Sequence, residues 1–248
     1  MMRTTVFVNN IVRWLCAGVI SIAVAQNATA GTYSISPLRI ELDRKHTIDV
    51  LTVHNDDAVA LLIQAQIVAW SQDNNEEHYV DSKDLLVTPP IFKLAPKSDQ
   101  IVRIALRHAE KADDELHYRL ILTEVPQAAP KNFVGLSVAL RMSIPVFIAP
   151  AVAVHPDVAW TAKWLNDGSV QIEAFNQGKM HLQINDFEAQ FGAAGSVRAN
   201  PSSYVLPGSR ISWNLKPPAN VDHQASINIH GYSDQGEFRA AVGNAEVH

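Results

Sequence analysis

Residues 133–148 read Phe-Val-Gly-Leu-Ser-Val-Ala-Leu-Arg-Met-Ser-Ile-Pro-Val-Phe-Ile. From Leu136 onward every second residue is apolar. Leu136, Val138, Leu140, Met142 and Ile144 fall on one face, and Ser137, Ala139, Arg141 and Ser143 on the other. A period of two is that of a β-strand, whose successive side chains point to opposite faces. The run is therefore expected as an uninterrupted strand from Leu136 to Ile144 with an apolar face that needs cover. Two kinds of cover are open. The face packs on the chain's own core, or an unpaired outer edge accepts a partner strand, with backbone bonds giving affinity and alternate side chains giving register.

The same alternation extends upstream. Ser34 to Leu42 places Leu38, Ile40 and Leu42 on one face and Arg39 and Glu41 on the other, with Pro37 marking an edge strand or a bulge. Thr47–His54 and Leu61–Trp70 alternate in the same way around the turn residues Asn55-Asp56-Asp57. Leu85–Pro90 leads into Ile91–Leu94, and Gln100–Leu106 and Leu116–Val125 follow. Roughly seven short strands in about 120 residues is the pattern of an immunoglobulin-like sandwich. Downstream, Ala149-Pro150-Ala151-Val152 reads as a hinge. Beyond it lie Trp160–Trp164, Ser169–Asn176, His181–Phe191, Tyr204–Leu215 and a hairpin over Ala225–Val242 that turns at Asp234-Gln235-Gly236. The expected fold is all-β, with two immunoglobulin-like β-sandwich domains in tandem at residues 31–150 and 151–248.

The first thirty residues belong to neither domain. Trp14–Val24 is an apolar run preceded by Arg3 and Arg13 and followed by the small residues Ala28-Thr29-Ala30. The run is shorter than the ~20 apolar residues that span a bilayer. It reads as a secretory signal over residues 1–30, cleaved after Ala30, with a single-pass anchor as the alternative, and the mature chain is not expected to insert into a membrane. Removing it takes the single cysteine, Cys16, and two arginines, so the net charge moves from −5 to −7. An exported chain with no cysteine has neither a disulfide nor a thiolate nucleophile, and its core must be large enough to hold without a staple. The acidic balance, without runs of like charge, argues against nucleic acid as a partner.

Enzyme motifs are missing. There is no His-Glu-x-x-His, no Gly-x-Ser-x-Gly and no phosphate loop. His108 and His117 flank the acidic segment Glu110–Glu115, but their spacing sets no metal geometry, and the segment reads as a solvated loop. Glu76-Glu77 and Asp113-Asp114-Glu115 read as exposed surface acids. Trp160, Trp164 and Trp213 read as packing residues, with sugar stacking as the other reading. No catalytic residue, metal or cofactor is expected.

Several landmarks, taken in order, resemble the periplasmic pilus-assembly chaperones of the chaperone–usher pathway. Pro37-Leu38-Arg39-Ile40-Glu41-Leu42 resembles the family's first strand with its invariant arginine. Thr88-Pro89-Pro90, Leu94-x-Pro96 and Gln100-Ile101-Val102-Arg103 resemble its T-P-P…L-x-P…Q-x-x-R signature. Tyr118-Arg119-Leu120 with Glu124-Val125-Pro126 resembles its late strand, and Leu136–Phe147 its donor strand. Leu206-Pro207-Gly208 and Tyr232-Ser233-Asp234 are weaker landmarks. The resemblance implies a periplasmic chaperone that lends Leu136, Val138, Leu140, Met142 and Ile144 to a pilus subunit lacking a strand. It would hold the subunit's terminal carboxylate on a cation and pass the complex to an outer-membrane usher.

The sequence departs from the familiar members at Pro145, where they carry a lysine, and at Ala149, where they carry an arginine. Arg-x-Ser-x-Pro-Val-Phe is closer to the archaic, Csu-type branch. The familiar Arg/Lys pair is thus incomplete. Arg39 is the expected carboxylate-binding residue, Arg103 and Arg141 are candidates for the second cation, and Asp234 is expected to lack its arginine partner. A pilus subunit or adhesin, and an exported carbohydrate-binding module, are the alternative classes.

Overall fold

The computed structural model describes residues 33–107, 113–126, 138–242 and 246–247. The signal segment, His108 and Leu136 lie outside the described residues. Within them the chain forms strands and turns only, with no helix.

The N-terminal half begins with β1 (Tyr33–Ser36), β2 (Ile40–Leu42), β3 (Ile48–Asn55), β4 (Leu61–Asp73) and β5 (Glu76–Asp81). It continues with β6 (Leu85–Thr88), β7 (Ile91–Leu94), β8 (Asp99–Leu106), β9 (Leu116–Glu124) and β10 (Arg141–Ile148). One sheet has the order β1-β3-β8-β6 and the other β2-β10-β9-β4-β5, with β7 also on β4. The two sheets enclose a core that includes Ile40, Leu42, Leu51, Ile63, Leu120 and Ile144. Full burial of such a side chain contributes about 1.5–3 kcal/mol relative to exposure.

Two expectations are corrected here. Ser34–Leu42 is not one strand. β1 pairs with β3 in the first sheet, whereas β2 pairs with β10 in the second. The chain changes sheets at Pro37, which has no N–H to continue a ladder, and Leu38 is left 69% exposed rather than sharing a face with Ile40 and Leu42. Nor is Leu136–Ile144 an uninterrupted strand, because β10 starts at Arg141 and residues 138–140 precede it. β5 has no counterpart in the sequence reading, since all six of its residues are exposed and it carries no apolar period.

The C-terminal half contains β11 (Val158–Trp164), β12 (Val170–Asn176), β13 (Leu182–Phe191), β14 (Ser196–Ala199) and β15 (Ser203–Val205). β16 (Arg210–Leu215), β17 (Ile227–Ser233), β18 (Gly236–Val242) and β19 (Glu246–Val247) complete it. Its sheets run β16-β12-β11-β19 and β14-β13-β17-β18, with β15 on β13. β12 alternates buried and half-buried residues along its whole length, as a strand covered mainly on one face should. β17 and β18 pair Ser233 with Gly236, so the expected hairpin turn falls where the sequence placed it. Gly231 permits a close crossing in β17: a Cβ there would lie 2.3 Å from the Asp186 carbonyl, where β13 shifts register. Trp160 stacks on Phe238 at 5.4 Å and lies 6.1 Å from Trp213, both rings resting on the core of this half.

The halves meet through Trp70, Phe147 and Leu206, with Tyr204 packed beside them. Gln72 bonds twice to the β15 end, donating to the Tyr204 carbonyl and accepting from the Leu206 N–H, each at 3.0 Å.

Candidate functional site

The exposed edge of β10 follows from its hydrogen-bond parity. The Glu124 N–H donates to the Leu140 carbonyl at 2.9 Å, so even-numbered residues bond toward β9. The Ala149 N–H donates to the Leu42 carbonyl at 2.8 Å, so odd-numbered residues face the opposite edge. β2 occupies that edge only at Val146, Phe147 and Ile148. Among the described residues no strand covers it from Arg141 to Pro145. Parity also explains how a proline is tolerated inside β10. Its missing N–H faces the uncovered edge, and the ladder to β9 loses nothing.

The apolar side chains expected to await a partner differ in burial. Ile144 is 3% exposed and belongs to the core of its own half. Leu140 and Met142 lean on that core while remaining half-buried. Val138 is 48% exposed. Burial thus falls steadily from Ile144 back toward Val138.

The cations form a row across the strands. β10 pairs Pro145 with Arg119 of β9 and Val146 with Ile40 of β2, which sets Arg39 beside Pro145 on the other side. By register Arg39, Pro145 and Arg119 share the face opposite Ile40, Val146 and Tyr118, with Pro145 itself buried between the two arginines' strands. Strand spacing puts the two arginine backbones about 10 Å apart. The Arg39 Nε meets Glu41 and its terminal nitrogen meets Asp234, each at 2.9 Å. The Arg119 guanidinium lies 3.7 Å over the Trp70 ring and 3.3 Å from Glu77. Its side chain is only 11% exposed. Tyr204 stands between the two arginines, with Arg119 5.7 Å from its ring and both charges acting on its hydroxyl. Burial nonetheless pushes the Tyr204 pKa up. Beside Arg119 opens a cavity of about 430 Å³ lined by Gln72, Glu77, Tyr204, Ser212 and Trp213.

The sequence candidates fall in different places. Arg39 is in the row. Arg141 lies four residues along β10 on the same face, where its charge reaches Tyr79. Arg103 is on the solvent face of the other sheet, between Val50 and Thr88, and is not part of the row. Asp234, expected to lack an arginine partner, has one in Arg39. In the sequence Arg119 stands out only as part of the Tyr118-Arg119-Leu120 landmark. Its outward place between inward-facing Tyr118 and Leu120 was legible, but its pairing with Pro145 is a matter of register between strands.

Glu115 corrects the reading of Glu110–Glu115 as a solvated loop. Its carboxylate is buried, 2.6 Å from His181 and 3.3 Å from His117. Burial alone would raise its pKa; the adjacent His117 and the hydrogen-bonded His181 outweigh that and lower it. Asp234 is likewise lowered, with burial opposed by His181, the Gln183 N–H and Arg39. For Arg39, burial works against the charged form, but Glu41 and Asp234 dominate and hold it more firmly protonated.

Two linked sandwiches, a strand edge left uncovered among the described residues and a basic row at its end are the geometry that strand addition by an extended chain requires. Comparison with known proteins identifies the group. Residues 32–153 match the family described as "Pili and flagellar-assembly chaperone, PapD N-terminal domain". The Chaperone protein LpfB of Salmonella typhimurium is 28% identical over 229 residues, covering 89% of this chain and 92% of LpfB. The fold is similar to the CsuC–CsuE chaperone–tip adhesion subunit pre-assembly complex from the archaic Csu pili of Acinetobacter baumannii. There the TM-score is 0.65 at 17% identity, covering 87% of this chain and all of that one. It is also similar to the Salmonella enterica SafA pilin–SafB chaperone complex, with TM-score 0.59 and 16% identity over 86% and 97% of the two chains. Residues 32–153 thus belong to the pilus-assembly chaperone family, which is not a family of enzymes.

Proposed function

We propose that this periplasmic chaperone lends the edge of β10 to a pilus subunit lacking a strand, and seats that subunit's terminal carboxylate on the row Arg39–Pro145–Arg119. The observation that carries the reading is the position of the row at the point where the uncovered edge ends and β2 begins. A partner strand entering along Arg141 and Ser143 with its carboxylate at Pro145 runs parallel to β10. Val138, Leu140 and Met142 are then the donated side chains, with Leu136 beyond them, while Ile144 stays in the chaperone's own core.

Arg119 supplies from β9 the charge that other members place at the position of Pro145. Each arginine has a planar fork suited to a carboxylate. Arg141 adds charge along the approach, and Arg103 acts elsewhere. Residues 1–30 serve as the secretory signal, and residues 31–150 and 151–248 form the two domains. An outer-membrane usher receives the loaded complex. Covering the subunit's groove removes the exposed apolar surface and unpaired strand edge that otherwise lead to aggregation. Co-expression with a pilus subunit tests the reading. The subunit should co-purify with the wild-type chaperone and be lost with the Leu140→Glu variant, whose carboxylate would be buried in the subunit groove without a partner. Undiminished recovery with Leu140→Glu would rule out donation by this segment.

A further inference from the structure

Arg39 is tied to a buried histidine of the C-terminal half. The Asp234 oxygen that meets Arg39 at 2.9 Å lies 3.5 Å from the His181 Nε2, an ion-pair distance too long for a well-formed hydrogen bond. The other Asp234 oxygen accepts the Gln183 N–H at 2.9 Å. On its far side the His181 Nδ1 bonds Glu115 at 2.6 Å. The imidazole is 2% exposed and is stacked on Phe147 at 3.7 Å with the rings 9° from parallel. The groups facing it are Glu115 and His117 from β9 and its approach, Asp234 from the β17–β18 turn, and Tyr204 from β15, its ring at 5.5 Å. β10 contributes uncharged Phe147. Arg39 reaches the imidazole only through Asp234, and the Lys179–Asp114 pair close by is exposed.

We propose that His181 is a positioning residue for the subunit carboxylate: its charged form neutralises Asp234 and so leaves the charge of Arg39 free for a carboxylate in the cleft. The proposal rests on the reading of Arg39 as a carboxylate anchor. Two carboxylates, Glu41 and Asp234, already draw on one guanidinium, and an incoming third is repelled by both. With an imidazolium beside it, Asp234 shares its charge between two cations. With a neutral imidazole, Asp234 bears on Arg39 alone and competes fully with the ligand. Burial disfavours the imidazolium, but Asp234 and Glu115 outweigh it and raise the His181 pKa above the ordinary 6.5. Carboxylate binding is therefore tighter on the acid side of that transition and weaker above it.

The test uses a short synthetic strand peptide of alternating valine and serine with a free C-terminal carboxylate, and the same peptide amidated. Affinities for the full chaperone are measured by calorimetry from mildly acidic to mildly alkaline pH. For the wild type, affinity for the carboxylate peptide should fall about fivefold or more across the His181 transition, while the amide stays flat. His181→Gln should bind the carboxylate peptide weakly at every pH, and adding Asp234→Asn should restore binding. If His181→Gln does not fold, Asp234→Asn alone should give a flat profile no weaker than the wild type at acid pH. A wild-type affinity for the carboxylate peptide that does not change with pH overturns the proposal. Arg39→Ala binding as tightly as wild type overturns instead the anchoring role on which it rests, and failure of the wild type to bind the peptide at all overturns both.

Discussion

Replacing Arg119 with alanine isolates the half of the carboxylate site that β9 supplies. A hydrogen bond to a charged group contributes about 1.5–3 kcal/mol net, so the carboxylate-dependent part of binding should fall about 10- to 150-fold. Three features place Arg119 toward the upper part of that range. It is 11% exposed, it is held over Trp70, and its Glu77 contact is a loose 3.3 Å. Arg39 is 37% exposed and already shared by two carboxylates at 2.9 Å, so Arg39→Ala should lie near the lower end. Arg119→Lys keeps the charge but loses the planar stack and the fork, and should recover only part of the affinity. The stack itself is worth about 0.5–2 kcal/mol, so Arg119→Ala also loosens the junction, and a control for that loss is needed. Titrating a C-terminal strand peptide and its amide against each protein supplies the control, because the amide reports strand pairing alone. Amidation should cost the wild type heavily and Arg119→Ala markedly less, the remainder being the share held by Arg39. Equal losses from amidation in both proteins would refute the assignment of Arg119 to the carboxylate.

Further outcomes separate core from donor positions and test the buried charges. Ile144→Ala should lower the stability of the free protein by about 2–5 kcal/mol, read by denaturant unfolding. Val138→Ala should leave stability nearly unchanged and weaken subunit capture instead. Gly231→Ala should destabilise the C-terminal half, since its Cβ meets a carbonyl oxygen at 2.3 Å, and the loss should appear as a lower melting temperature. Stability should also peak between two pH limits. The raised pKa of His181 gives stability that is lost as pH rises through its folded value above 6.5. The lowered pKa values of Glu115 and Asp234 give stability that is lost as pH falls through their folded values, below 4.5 and 3.8. Thermal melts across pH check both limbs, and His181→Gln should remove the alkaline one.

What sequence reasoning reached is what side-chain period carries. β8 and β12 alternate cleanly, β4 and β9 do so over most of their length, and so does the apolar run into β10. The two-sandwich architecture follows from them. What it missed depends on contacts between distant segments. The break at Pro37 is a change of sheet, visible only once β1 and β2 have different partners. β5 is a fully exposed edge strand, held by pairing with β4 rather than by burial. Glu115 looked solvated because it ends an acidic run, yet His181, far away in sequence, draws it inside. Arg119 joins the basic row through its pairing across to Pro145, and local spacing does not encode that register.

The central claim is that a subunit strand pairs with the outer edge of β10 up to Pro145. Residue-resolved amide hydrogen exchange, with and without a co-purified pilus subunit, measures this directly. Parity assigns the Arg141 and Ser143 N–H groups to the uncovered edge and those of Met142 and Ile144 to the ladder with β9. Binding should slow exchange strongly at Arg141 and Ser143, while Met142 and Ile144, already protected, change little. Exchange at Arg141 and Ser143 that is as fast in the complex as in the free protein would contradict donation of this edge.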